Sequence, residues 1–246
     1  MSDLPISLYG DQPEAPKPKA PGLLDQIVGV FTSPVELFQQ LNKAPSWGWA
    51  LGATIAGAVL LTVVWGLNVD VDEMLRPILE KNPQLTASQI DAGIGMYKRF
   101  IIPLGVFQST FIIAGAVFLV ALIYWLVGKG TAESERPSYV QAISATVVPG
   151  LVRLPHMLLV IIICLVRSFG GLTPEKIAPT SLGYFFNPEH VKLHALLYSL
   201  DLFYIANVLL SFLAARHLLR LKTSGAVLCV VINLLFGIGL QVLAAK

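Results

Sequence analysis

The chain has 246 residues, of which 55% are hydrophobic and only 13% charged. Soluble globular chains carry about 25% charge, so this composition cannot solvate the surface of a soluble protein of this size and excludes a soluble enzyme. A net charge of +2 offers no basic surface for nucleic acid, which is excluded as a partner.

The apolar residues fall in blocks of about 20, the length a helix needs to cross roughly 30 Å of hydrocarbon. Residues 1–21 precede the first of them and carry Asp3, Asp11 and Glu14 among Pro5, Pro13, Pro16, Pro18 and Pro21. No basic stretch leads an apolar one there, so a disordered Pro-rich tail is expected and not a signal peptide. In 22–45, Leu23, Leu24, Ile27, Val28 and Phe31 recur at helical spacing, and Val35, Phe38 and Leu41 continue one apolar face. Ser33 and Glu36 read as a capping box with Pro34 at the first helical position. Two short amphipathic helices are expected here, too polar to span and lying on the membrane surface.

The remainder, 46–246, reads as a transmembrane domain with spans at 47–67, 101–127, 140–166, 193–213 and 226–243. Between the first two spans lies a polar segment, 68–99. Within it Asp70, Asp72 and Glu73 suit a helix start, and Thr86 and Gln89 make a second capping box. An EF-hand is excluded, because Met74 and Leu75 stand where a ligand and a glycine are needed. A turn at 128–138 leads to the third span, made irregular by Pro149, Arg153, Pro155 and His156. A second polar segment, 167–192, ends in Asn187 and Pro188, a helix-start pair. The basic turn 216–224 separates the last two spans. The fold expected is therefore an all-α integral membrane protein, a five-helix transmembrane bundle with N-terminal amphipathic surface helices.

Long and short loops alternate, so the termini fall on opposite faces. Basic residues do not decide orientation. Lys17, Lys19, Lys43, Lys129, Arg136, Arg216, Arg220 and Lys222 stand on one side, and Arg76, Lys81, Lys98, Arg99, Arg167, Lys176, Lys192 and Lys246 balance them on the other. The turn at 216–224, basic and free of acids, favours a cytoplasmic N-terminus.

The surface helix GVFTSPVELFQQL, the PSW leading into the first span, and the turn GKGTAESERPSYVQAIS before a span with an early proline (Pro149) together resemble the Yip family of Ypt/Rab-interacting membrane proteins. The resemblance runs from about residue 22 to the end. It implies five spans, a cytoplasmic N-terminus, and a scaffold or adaptor without catalytic residues. The segment NPQLTASQIDAGIGMYKR is similar to prokaryotic members, which implies the cytoplasmic (inner) membrane of a prokaryote.

Arg153 is the residue most in need of explanation, since a charge at the centre of a span costs about 2.5–3.5 kcal/mol on insertion scales. Asp201, the one acid inside a predicted span, is its expected partner, with His156 nearby. The favoured reading is an internal pair fixing the third and fourth spans. The alternative is a proton or ion relay in a small transporter or channel. Gly48, Gly52 and Ala56 recur every four residues, as do Ala53 and Gly57, a spacing that permits close helix packing. Asn207, Asn233 and Gln241 are expected to hydrogen bond across helices. Cys164 and Cys229 read as small buried hydrophobes. His190 and His194 have metal-ligand spacing, but the zincin order is absent, and no metal or cofactor is expected. No Walker sequence or nucleophile elbow is present, so no catalytic residue is assigned. The expected partners are the lipid bilayer and other membrane proteins, with a homo-oligomer also open.

Overall fold

The computed structural model describes residues 19–186 and 190–239. Among these, every regular element is helical, and two isolated β-bridges take the place of any strand.

Helices α1 (Leu23–Thr32) and α2 (Pro34–Lys43) come first. The capping box expected at Ser33 does not form. Ser33 is the single residue between two helices, and its amide is committed to the carbonyl of Gly29 as the C-cap of α1. Its backbone (φ −149°, ψ 62°) is therefore not that of an N-cap, and its side chain makes no cap bond. Helix α3 (Gly48–Asn68) follows over 21 residues. Asp70 then starts α4 (Val71–Leu79) by accepting from the amides of Asp72 and Glu73.

The expected polar helix from Thr86 and the expected second span are one helix, α5 (Ala87–Thr131), of 45 residues. Thr86 and Gln89 form its capping box. At 1.5 Å per residue it is about 67 Å long, over twice the roughly 30 Å of a hydrocarbon core. Lys98 and Arg99 mark a change of polarity along α5 but not its end, because solvated lysine and arginine are good helix formers. Pro103 is likewise accommodated inside it. The turn expected from 128 begins only after Thr131, whose hydroxyl donates to Val127 O at 2.8 Å.

Helix α6 (Tyr139–Val147), a 3-10 segment (Val148–Arg153) and α7 (Leu154–Val166) make one continuous helical stretch. Pro149 and Pro155 each remove a backbone donor, and the chain between them tightens to i+3 bonding. The segment after α7 folds back instead of leaving the bundle. Phe169, Ile177 and Ala178 are buried against Val160 and Cys164 of α7. Short helices α8 (Pro174–Ile177) and α9 (Leu182–Phe185) lie in this stretch. Asn187 and Pro188, the expected helix-start pair, lie outside the described residues.

The fourth expected span, 193–213, is broken. Helix α10 (Val191–Ser199) stops, and α11 (Leu202–His217) starts with Asp201 as its N-cap. The break is stabilised by pairing with the returning segment: Leu182 N donates to Leu200 O at 3.1 Å and Leu202 N to Thr180 O at 3.2 Å. Helix α12 (Thr223–Leu234) passes into a π-turn, Leu235–Gly239. The far end of the fifth expected span lies outside the described residues.

Three stretches are long and apolar enough to cross a membrane: Gly48–Asn68, Ala87–Thr131 and Tyr139–Val166. Leu202–His217 and Thr223–Gly239 are apolar but shorter. Phe38 and Leu41 of α2, Tyr124 of α5, Leu151 of the 3-10 segment, Ala214 of α11 and Cys229 of α12 are fully buried in one core. The N-terminal helix pair is thus built into the bundle on its inner face. The outside is apolar, with Phe107, Phe111, Leu158, Ile162 and Leu209 all more than half exposed. Soluble monomers do not carry so continuous an apolar surface.

The two short turns are tied together. Lys222 N donates to Thr131 O at 2.8 Å, Glu133 N donates to Arg220 O at 2.9 Å, and Arg216 pairs with Glu133 at 2.6 Å. Arg220 is held at φ 52°, a left-handed conformation that these bonds sustain.

Candidate functional site

The proline-framed 3-10 segment ends on Arg153 and delivers His156 one turn later into α7. The broken fourth stretch delivers Asp201. Together with Thr180 and Ser181 from the returning segment, these residues line one partly enclosed cavity of about 80 Å³. Tyr198, Ser199, Tyr204 and Gly237 complete its wall. Arg153, His156 and Asp201, singled out from the sequence, therefore face a common space.

Asp201 is 8% exposed, and its Oδ1 accepts the Tyr204 amide at 2.8 Å. Its carboxylate is thus held by the start of α11, where a negative group is favoured. His156 Nδ1 lies 3.1 Å from Thr180 Oγ1, and its ring packs on Phe203 at 5.7 Å. Tyr204 donates its hydroxyl to Asn233 O at 3.3 Å. Gly237 allows the π-turn to sit against Tyr204, since a Cβ there would collide with the phenol. Arg153 is half-buried. The ion pairs among the described residues are Arg76 with Asp72 and Asp91, and Arg216 with Glu133; none joins Arg153 to Asp201. Ser181 is 3% exposed, and its Oγ is buried without a hydrogen-bond partner. Two opposite charges that form no ion pair and an unsatisfied hydroxyl thus share one small cavity, with Ser181 set opposite Asp201 in a β-bridge.

The small residues of α3 divide between two faces. Gly57 packs tightly: a Cβ there would lie 3.1 Å from Met157 Sδ and 3.3 Å from Leu154 Cδ2. Gly48 and Gly52 face open space, and Ala56 is exposed, so these three do not pack inside the bundle. The close approaches of α3 to α5 are made lower down, at Gly66 against Ile102 and Gly105 against Thr62, where Thr62 Oγ1 and Ser109 Oγ bond at 3.0 Å.

Asn233 Nδ2 donates to Ser211 Oγ across α11 and α12 at 2.9 Å, and Gln241 lies outside the described residues. Cys164 and Cys229 are buried thiols. His194 packs edge-on to Tyr198 at 4.6 Å. Among the described residues no three His, Cys, Asp or Glu side chains gather as metal ligands.

Outside the bundle, Arg76 bonds Asp72 at 2.6 Å and Asp91 at 2.8 Å, joining α4 to the projecting end of α5. The guanidinium hydrogen bond lowers the Asp72 carboxyl below its ordinary value, and Asp72 and Asp91 raise Arg76.

Sequence reasoning missed Thr180, Ser181, Tyr204 and Gly237. Ser181 stands in a segment that reads as polar loop, yet Ile177, Ala178, Leu182, Phe185 and Phe186 within ten residues are more apolar than a solvated loop requires. That density was the available signal of a segment returning to the bundle.

A family model described as the Yip1 domain matches residues 28–245. No curated protein and no solved structure matches the chain.

Proposed function

Because the chain belongs to the Yip1 domain family, a family of non-enzymatic integral membrane proteins, we propose that it is a membrane scaffold or accessory subunit that binds other membrane proteins. The observation that carries this reading is the extent of the match, residues 28–245, nearly the whole chain. In this reading the bundle crosses the inner membrane of a prokaryote five times, with α11 and α12 supplying the two shorter crossings and the N-terminus in the cytoplasm. Residues 22–45 lie at the cytoplasmic surface, one side docked and the other free, while most of the tail expected at 1–21 lies outside the described residues. The free side of α1 supports partner binding: Leu24, Val28 and Phe31 are 75%, 56% and 50% exposed. Arg153, His156 and Asp201 form a polar centre in which His156, packed on Phe203, joins the third and fourth crossings, and which does no chemistry.

The reading is tested by purifying the tagged full-length chain in mild detergent after crosslinking in cells. A defined set of membrane proteins should co-purify, and Leu24→Ser with Val28→Ser should release it while leaving the bundle's melting temperature unchanged. A chain that purifies alone, crosslinked or not, refutes the reading.

A further inference from the structure

The polar cavity has properties that a structural role leaves unexplained. Arg153 and Asp201 both face it but form no ion pair, and Ser181, 3% exposed, presents a hydroxyl with no partner. Charge restricts what fills such a space. A bare anion attracted to Arg153 meets the Asp201 carboxylate, and a bare cation attracted to Asp201 meets the Arg153 guanidinium. A group carrying both signs satisfies both walls.

Size agrees. At about 30 Å³ per water, a cavity of about 80 Å³ holds two or three water-sized groups, enough for an ammonium and a small oxyanion. Depth agrees as well. The 16 residues of α11 put Asp201 about 24 Å from the turn after His217. A core of roughly 30 Å leaves about 6 Å to the far face, within reach of a headgroup entering from that leaflet.

We propose that the cavity is a binding site for a zwitterionic group, a primary ammonium on Asp201 and a phosphate or carboxylate on Arg153. Guanidinium donors match oxyanion geometry, and the Ser181 hydroxyl oxygen, on the residue bridged to Asp201, accepts from the ammonium. The group bridges two side chains that do not reach each other and so locks α7 to α11. It comes either from a phospholipid headgroup, phosphoethanolamine esterified to diacylglycerol, or from a free small zwitterion. This goes beyond the scaffold reading and rests on it only for the crossing made by α11, from which the depth of Asp201 is taken.

The test uses full-length protein stripped of lipid in detergent, with melting followed on addition of phosphatidylethanolamine, phosphatidylcholine, phosphatidylglycerol or soluble phosphoethanolamine. Phosphatidylethanolamine should raise the melting temperature more than equal amounts of phosphatidylglycerol, and more than phosphatidylcholine, whose quaternary ammonium cannot donate hydrogen bonds. Asp201→Asn retains a helix cap and removes the charge that opposes an anion, so the ranking should reverse in favour of phosphatidylglycerol. A shift with soluble phosphoethanolamine identifies a free zwitterion as sufficient, and a shift confined to the diacyl form identifies the lipid. Equal shifts by the three lipids on the wild-type protein overturn the proposal, as does an unchanged ranking in a folded Asp201→Asn. No shift with any of the four probes means that water alone fills the cavity, which also overturns it. The wild-type comparison decides the matter even if the variant fails to fold.

Discussion

Asp201→Ala separates the two tasks of the residue at the helix break. Its Oδ1 accepts the Tyr204 amide at 2.8 Å, and the residue is only 8% exposed. Alanine leaves that amide without a partner where water is scarce. Losing an N-cap costs about 0.5–2 kcal/mol, and an unsatisfied buried donor about 1–3 kcal/mol. The enclosure of Tyr204 N places the loss near 2 kcal/mol on these scales. At about 2–4 °C per kcal/mol for a chain of this size, the melting temperature should fall by roughly 4–8 °C. Asparagine offers an equivalent carbonyl oxygen and ranks with aspartate as an N-cap, so Asp201→Asn should stay within about 2 °C of wild type on the same scale. The assay is fluorescence-detected size exclusion after heating, in detergent free of added lipid. Equal losses for asparagine and alanine would show that the charge, and not the cap, holds the break, and would refute the reasoning.

Phe38→Ala should destabilise the bundle, because Phe38 is fully buried between α2 and the core. The loss should fall below the about 3–5 kcal/mol of soluble cores, since a released ring enters lipid and not water; an unchanged melting temperature would mean that α2 does not dock. Gly57→Val should cost about 1–3 kcal/mol by overpacking against Met157 and Leu154. Gly52→Ala, with open space around it, should be neutral or stabilising by up to about 1 kcal/mol, and similar melting losses for the two would contradict the division of α3 into a packed and an open face. The Asp72 carboxyl is held below its ordinary value by Arg76, so its contribution to α4 is complete above the ordinary carboxylate value and disappears as pH falls through the lowered one. Amide protection in α4, corrected for intrinsic exchange, should drop on acidification in wild type and show no such step in Arg76→Met.

Much of the architecture is legible because hydropathy and helix length follow the same physics. The stretch read as 47–67 appears as Gly48–Asn68, and the prolines that make the third stretch irregular produce a 3-10 segment there. Hydropathy marks where lipid ends, however, and not where a helix ends. Lys98 and Arg99 therefore suggest a boundary inside α5 that the backbone ignores. The break at Asp201 is illegible for a different reason. The run 193–213 carries no acid except that residue, and its interruption depends on Thr180 and Leu182, some twenty residues earlier. Arg153, His156 and Asp201 stand out because ionisable groups are rare in apolar runs. Ser181 does not, because a serine in a polar segment carries no signal until the segment is seen to return into the bundle.

The five-crossing topology is tested most directly by the sidedness of single cysteines in a chain whose buried Cys164 and Cys229 are replaced by alanine. Glu135 and Lys222 lie in the two short turns, and Lys81 and Ser168 in the segments between the longer helices; all four are exposed. The bridge between Ala132 and Leu221 holds the two short turns together. A membrane-impermeant thiol reagent should label cysteine at Lys81 and Ser168 in intact cells, and at Glu135 and Lys222 only after permeabilisation. Labelling of Glu135 and Lys222 on opposite sides, or of all four positions on one side, would contradict it.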